Sequence, residues 1–182
     1  MSQELCLVYL TSNLLEILES GYIKKLQENK LPYIFMTVMK SENIEIMESL
    51  NHEFYSGHSV MLIFDDTLIK DKPFYINKEW LGHPKDDLTE YNYEKILPYT
   101  NYLKNECLFT KKIKIKKYLK EVHIPIVYLH KHKREYECLI KVLRLIQEEY
   151  KNVEVKIITP EKMTYQKEYY YFDKNNSLTT FI

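Results

Sequence analysis

Few residues in this 182-residue chain combine a reactive type with a telling position. Glu106 opens a short apolar run, Asn105-Glu106-Cys107-Leu108-Phe109. Acidic side chains are poor strand formers, so this glutamate needs a reason to be there. Either it is a polar strand residue on the solvent face or it is placed for chemistry. Cys107 should alternate to the opposite face of such a strand and reads as a buried, inert thiol. Two basic clusters follow. Lys111, Lys112, Lys114, Lys116, Lys117 and Lys120 come directly after the run, and His130, Lys131, His132, Lys133 and Arg134 come later. Each is either a solvated face or a rim that contacts the phosphates of a single strand. Tyr99, Tyr102 and Tyr118 are near enough to stack bases, although 17 tyrosines in the chain dilute that signal. His130-x-His132 has neither a third ligand nor a metalloprotease spacing, so it reads as a polar turn. No Ser-His-Asp arrangement is visible.

Composition removes several classes. Lys and Arg together number 26 and so do Asp and Glu, so any nucleic-acid contact must come from a local patch. The only glycines are Gly21, Gly57 and Gly82, too few and too scattered for a P-loop or a dinucleotide fingerprint. Cys6, Cys107 and Cys138 are far apart and odd in number, and the start MSQELCLVYL lacks a basic n-region. These features lead us to expect a reducing cytoplasm.

The elements that must position these residues follow from hydrophobic spacing. Residues 5–10 read as a buried strand, with Ser12 or Asn13 capping a helix that carries Leu14, Leu15, Ile17 and Leu18 and closes at Gly21. Residues 33–39, 59–64 and 74–76 read as further strands. Ser41 opens a short helix with Ile44, Met47 and Leu50 inward. Residues 78–99 form a polar excursion with one helical piece near residues 88–97. Strands at 106–109 and 122–129 follow, then a helix over 136–150 whose inward face is Tyr136, Leu139, Ile140, Leu143, Ile146 and Tyr150. Val153, Val155 and Ile157 alternate as a half-buried strand. We expect residues 1–160 to form a single domain, and residues 161–182 to be a polar, aromatic tail with a loose end. Strands outnumber helices without a βαβ rhythm, so the expected class is α+β.

Four pieces, taken in order, resemble the DarT family of toxin ADP-ribosyltransferases, which modify bases in single-stranded DNA with NAD. They are VYLTSNLLEILESGYI (8–23); LPYIFMTVM (31–39) with SVMLIFDDTLIKDKPFYIN (59–77); YLKNECLFTKKIKIKKYLKEVHI (102–124); and the helix and strand ending in VEVKIITP (153–160). The first two pieces also resemble the AbiGi abortive-infection proteins. The resemblance implies an ADP-ribosyltransferase-like split mixed β-sheet core with flanking helices, and NAD as substrate.

By that resemblance Glu106 is the catalytic glutamate. Breaking the nicotinamide–ribose bond builds positive charge at the sugar, and a carboxylate facing that charge stabilises the transition state more than the ground state. Tyr9, Leu10, Thr11 and Asn13 match the family's nicotinamide-contacting segment, with Leu10 where the family has His. Tyr55 matches an aromatic that stacks on nicotinamide. The family's phosphate-pairing Arg has no counterpart, since the first arginine here is Arg134. Lys111, Lys112 and Lys114 are the candidate nucleic-acid contacts. The resemblance further implies a toxin or phage-defence setting and a macrodomain antitoxin as partner. Modification of protein or RNA, and an inactive binding module of the same fold, are the alternatives.

Overall fold

The computed structural model describes residues 4–25, 32–48, 59–77, 90–96, 106–125, 133–160, 167–172 and 178–181. Among them a ten-stranded sheet runs in the order β12-β11-β10-β9-β4-β1-β3-β7-β5-β6, beside a two-stranded sheet β2-β8. The strands are β1 (Leu5–Thr11), β2 (Tyr22–Ile23), β3 (Ile34–Lys40), β4 (Val60–Asp65), β5 (Phe74–Asn77) and β6 (Glu90–Tyr91). They continue with β7 (Glu106–Phe109), β8 (Ile113–Lys114), β9 (Leu119–Pro125), β10 (Glu154–Pro160), β11 (Lys167–Phe172) and β12 (Leu178–Phe181). Pairing in the large sheet is antiparallel except between β9 and β10. The architecture is therefore the expected α+β.

Central strands β1 and β4 carry LCLVYLT and VMLIFD, apolar at nearly every position, because both faces of the sheet are covered there. On one face Leu5, Leu7, Val38, Leu62, Phe64, Val122 and Ile124 pack with α1 (Leu14–Ser20) and α5 (Lys133–Glu149). On the other, Cys6, Val8, Met39, Met61 and Ile63 pack with Met47. Met47 follows the 3-10 turn Ser41–Asn43, in a helical stretch over residues 44–48. The remaining helices are short: α2 (Thr67–Asp71), α3 (Tyr93–Ile96) and α4 (Ile115–Tyr118).

Gly21 ends α1 at φ 70°, the left-handed conformation that glycine adopts without a steric penalty, and its N–H bonds the Ile17 carbonyl. At the other end of α1 the Asn13 side chain makes no capping bond. Instead the Asn13 N–H donates to Thr11 Oγ1 at 3.0 Å.

Three expectations need correction. Ile140 is 56% exposed, and Val142 joins Leu143, Ile146 and Tyr150 on the inward face. The sheet holds the helix at a rotation that a period of 3.6 residues does not specify. The strand expected at 122–129 begins at Leu119, and its part beyond Pro125 falls outside the described residues. The chain after Pro160, expected to be a polar, aromatic tail with a loose end, contributes β11 and β12, which extend the sheet past β10. Unpaired strand edges offer ladder hydrogen bonds, and a chain rich in tyrosine can accept them.

Candidate functional site around Glu106

Register fixes which side chains share a face, because residues directly opposite in a ladder point the same way. Val8 lies opposite Thr37, Thr37 opposite Glu106, and Glu106 opposite Asn77. One row across β1, β3, β7 and β5 thus presents Val8, Thr37, Glu106 and Asn77 on one face. Val8 packs in the Met47 cluster, so this is the face away from α1 and α5. Glu106 is half-buried, while Thr37 and Asn77 are buried. Asn77 Nδ2 donates to Glu106 Oε2 at 3.1 Å. Burial raises the Glu106 carboxyl above the ordinary glutamate range, and the Asn77 bond partly opposes that rise. The side chain therefore lies in the sheet surface, not in bulk solvent.

Cys107 points the other way, as expected. It is fully buried in the larger core, and burial pushes its thiol well up. Such a thiol is inert.

The candidate residues of β1 divide between the faces. Leu10 packs half-buried against the Cys6–Val8–Met61 cluster, on the Glu106 face. From strand spacing and rise its Cα lies about 12 Å from that of Glu106. Tyr9 packs on the larger core instead, and Thr11 is buried with it on the far face, opposite Val60. Burial raises the Tyr9 hydroxyl pKa. Asn13 is exposed at the start of α1. Of the β1 residues, Leu10 shares a face with Glu106; Tyr9 and Thr11 reach that face only through the backbone. Tyr55 falls outside the described residues.

The lysines are not gathered around the carboxylate. Glu106 begins β7, whereas Lys111 and Lys112 follow its far end, up to about 20 Å along the chain. Lys111 and Lys114 are exposed and have no acidic partner among the described residues. Lys112 Nζ sits 4.5 Å from the centre of the Tyr22 ring. Lys116, Lys117 and Lys120 are paired with Glu149, Asp71 and Asp65. Tyr118 is core, not a stacking surface. Tyr99, Tyr102 and the His130–His132 stretch lie outside the described residues.

Two features of this face escaped the sequence reading. One is aromatic. Tyr33, Phe35 and Tyr75 are half-buried, and Phe35 and Tyr75 flank Leu108 in the row next to Glu106. The Tyr33 ring meets Phe35 at 6.2 Å and Tyr75 at 6.3 Å, edge to face. The other is a buried polar chain. His123 Nδ1 lies 2.6 Å from Glu48 Oε1, and its Nε2 lies 2.7 Å from Glu121 Oε2. Lys156 Nζ donates to the same Glu121 oxygen at 2.6 Å. Ionised carboxylates at both ring nitrogens favour a proton on each, the imidazolium form. Burial alone would lower the His123 pKa, but the bonds from Glu121 and Glu48 hold it above its ordinary value. The His123 bond, helped by Lys156, brings Glu121 down to about 2. No pattern pointed to Glu48, which is 75 residues away in sequence.

These observations define the class at the level of architecture: an α+β domain with a half-buried carboxylate on one face of a largely antiparallel sheet. No described helix is long and apolar enough to cross a membrane. No protein-family model and no curated protein matches the chain. Among solved structures the chain is similar to Thermus sp. 2.9 DarT in complex with NAD+, at 13% identity and a TM-score of 0.49, over 84% of this chain and 94% of that one.

Proposed function

We propose that this chain is an NAD-dependent ADP-ribosyltransferase that uses Glu106 as its catalytic carboxylate. The observation that carries the reading is the placement of Glu106: half-buried on the sheet face, held by Asn77, with its pKa raised by burial. It adds to the sequence resemblance of the segments around β1, β3 to β5, and β7 to β9.

The ionised carboxylate stabilises positive charge at the ribose C1′ while the bond to the nicotinamide nitrogen breaks, and nicotinamide leaves with the bonding pair. A nucleophilic nitrogen on the acceptor then bonds C1′ and gives up its proton. A carboxylate whose pKa is raised by burial is a better base for that proton than an ordinary glutamate. Leu10 supplies apolar contact where a histidine would supply a hydrogen bond. The Tyr33–Phe35–Tyr75 rings offer a surface for a planar ring in the row beside Glu106.

The acceptor in this reading is a base in single-stranded DNA, because base chemistry needs an unstacked base. Lys111, Lys112 and Lys114 would contact its backbone at a distance from the carboxylate. The setting that goes with it is a cytoplasmic toxin or phage-defence protein whose mark a macrodomain antitoxin removes. A second reading is transfer to protein or RNA, and its protein form is favoured by one observation: Lys116, Lys117 and Lys120 are neutralised by acidic partners, which weakens a phosphate rim for any nucleic acid.

The test incubates the chain with NAD labelled in the adenylate, single-stranded oligonucleotides, RNA and a protein extract. Label on DNA that is lost in Glu106→Gln by at least about 100-fold fits the first reading. Label on polypeptide or RNA moves the acceptor. Equal label with wild type and Glu106→Gln removes Glu106 from the chemistry, and no label on any acceptor removes the transferase.

A further inference from the structure

Strand β5 ends on Asn77, a residue with no assigned role, and the ladder sets it directly opposite Glu106. Asn77 is 6% exposed, and its Nδ2 lies 3.1 Å from Glu106 Oε2. An asparagine side chain is short, so this contact exists only because the β5–β7 register places the two Cβ atoms side by side. Asn77 itself pairs with β7, and β5 is anchored on its other edge by β6 two and three residues earlier, at Tyr75 and Phe74.

We propose that Asn77 is a positioning residue: it engages one oxygen of the Glu106 carboxylate so that the other is the oxygen that meets substrate. This rests on the transferase reading above. A carboxylate on an open strand face rotates about χ3, and both oxygens exchange between solvent and substrate. A fixed donor at one oxygen removes that freedom before substrate arrives, which is the economy of a preorganised site. The same bond exists in full strength only with the ionised carboxylate as acceptor, so Asn77 favours the charged form that burial disfavours. Thr37, on the opposite side of Glu106 in the row, is buried and confines the side chain from β3.

The experiment has two arms, run on Asn77→Leu and Asn77→Ser; either variant that retains the wild-type amide spectrum serves. In the first, the Glu106 carboxyl carbon is titrated by NMR in 13C-glutamate protein, its signal assigned by its absence in Glu106→Gln. Loss of a hydrogen bond to a charged acceptor should weaken the Glu106 acid about 10- to 100-fold, moving its titration up by about one to two pH units. In the second, labelled-NAD turnover is followed against pH. The acid limb should move up by the same interval and kcat should fall about tenfold at its plateau, with KM for NAD within a factor of about three. A merely structural role would leave the limb where it is.

An unmoved Glu106 titration in a folded variant overturns the inference and leaves the transferase reading standing. A moved titration with an unmoved acid limb and unchanged kcat also overturns it, since the contact then has no part in turnover. If wild-type protein cleaves no NAD, the transferase reading falls, and Asn77 with it as a positioning residue, whatever the titration does.

Discussion

Replacing His123 by leucine should remove the cation that joins Glu48, in helical residues 44–48, to β9, and the structure says how much that costs and at which pH. The Glu48 and His123 side chains are each 3% exposed, whereas Glu121 is 24% exposed and keeps Lys156. The loss therefore falls mainly on the Glu48 carboxylate. Breaking a buried pair by removing one partner costs about 3–5 kcal/mol. For a chain of this size that corresponds to a fall in Tm of roughly 6–20 °C. The pH dependence has a definite sign. The folded His123 pKa is raised above its unfolded value of 6.5, so the native state binds the proton more tightly than the unfolded state does. Its contribution is fully present below pH 6.5 and is lost as pH rises through the folded pKa. Urea unfolding of wild type and His123→Leu at intervals between about pH 6 and 9.5 should thus show a difference that is largest at the acid end and shrinks with rising pH. A difference below about 1 kcal/mol at pH 6, or one that stays constant over the range, would refute the reasoning. Lys156→Met should cost less, about 1.5 kcal/mol, because Glu121 keeps His123.

Further outcomes follow from other parts of the fold. Gly21→Ala should cost about 1–2 kcal/mol in chemical denaturation, from the left-handed backbone alone. An added Cβ meets nothing nearer than the Tyr150 hydroxyl at 3.8 Å, so a loss above about 3 kcal/mol would point to a clash the structure does not contain. In native protein Cys107 is fully buried and burial pushes the Cys6 thiol up to about 12, so a thiol reagent at pH 8 should reach neither until the chain is unfolded. Mass mapping of the labelled sites checks this; label on native Cys6 or Cys107 would contradict it. Glu106→Gln should be at least as stable as wild type at neutral pH while losing transfer, because the folded Glu106 pKa is raised and the charged form therefore costs stability once pH exceeds the unfolded value of 4.5. A large loss of stability in that variant would make Glu106 a structural residue.

Local rules carried the strand and helix assignments a long way. The apolar runs of β1 and β4 are nearly continuous, those of β3 and β7 are broken only at Thr37 and Glu106, the Gly21 stop has a stereochemical cause, and period two put Cys107 on the face opposite Glu106. Each of these depends on neighbours within a few positions. Where assignments failed, the deciding contact was remote. Ile140 satisfies the helical period as well as Val142 does, and only the sheet beneath α5 chooses between them. The pairing of β11 on β10 needed the exposed edge of β10, which no window of residues contains.

The site divides in the same way. From the chain alone, Glu106 was legible as an acidic residue out of place in a short strand, because propensity is a property of the residue and its immediate run. What stands beside it was not. Thr37, Asn77 and the Tyr33–Phe35–Tyr75 rings come from residues 29 to 73 positions away, and the split of Leu10 from Tyr9 and Thr11 follows from which face of β1 looks toward the carboxylate. Alternation tells that neighbours differ in face; only the ladder tells which face is which, since a slip of one residue in register would exchange them all. The sequence determined where the out-of-place carboxylate falls in the chain, and the order and register of the strands decided its company.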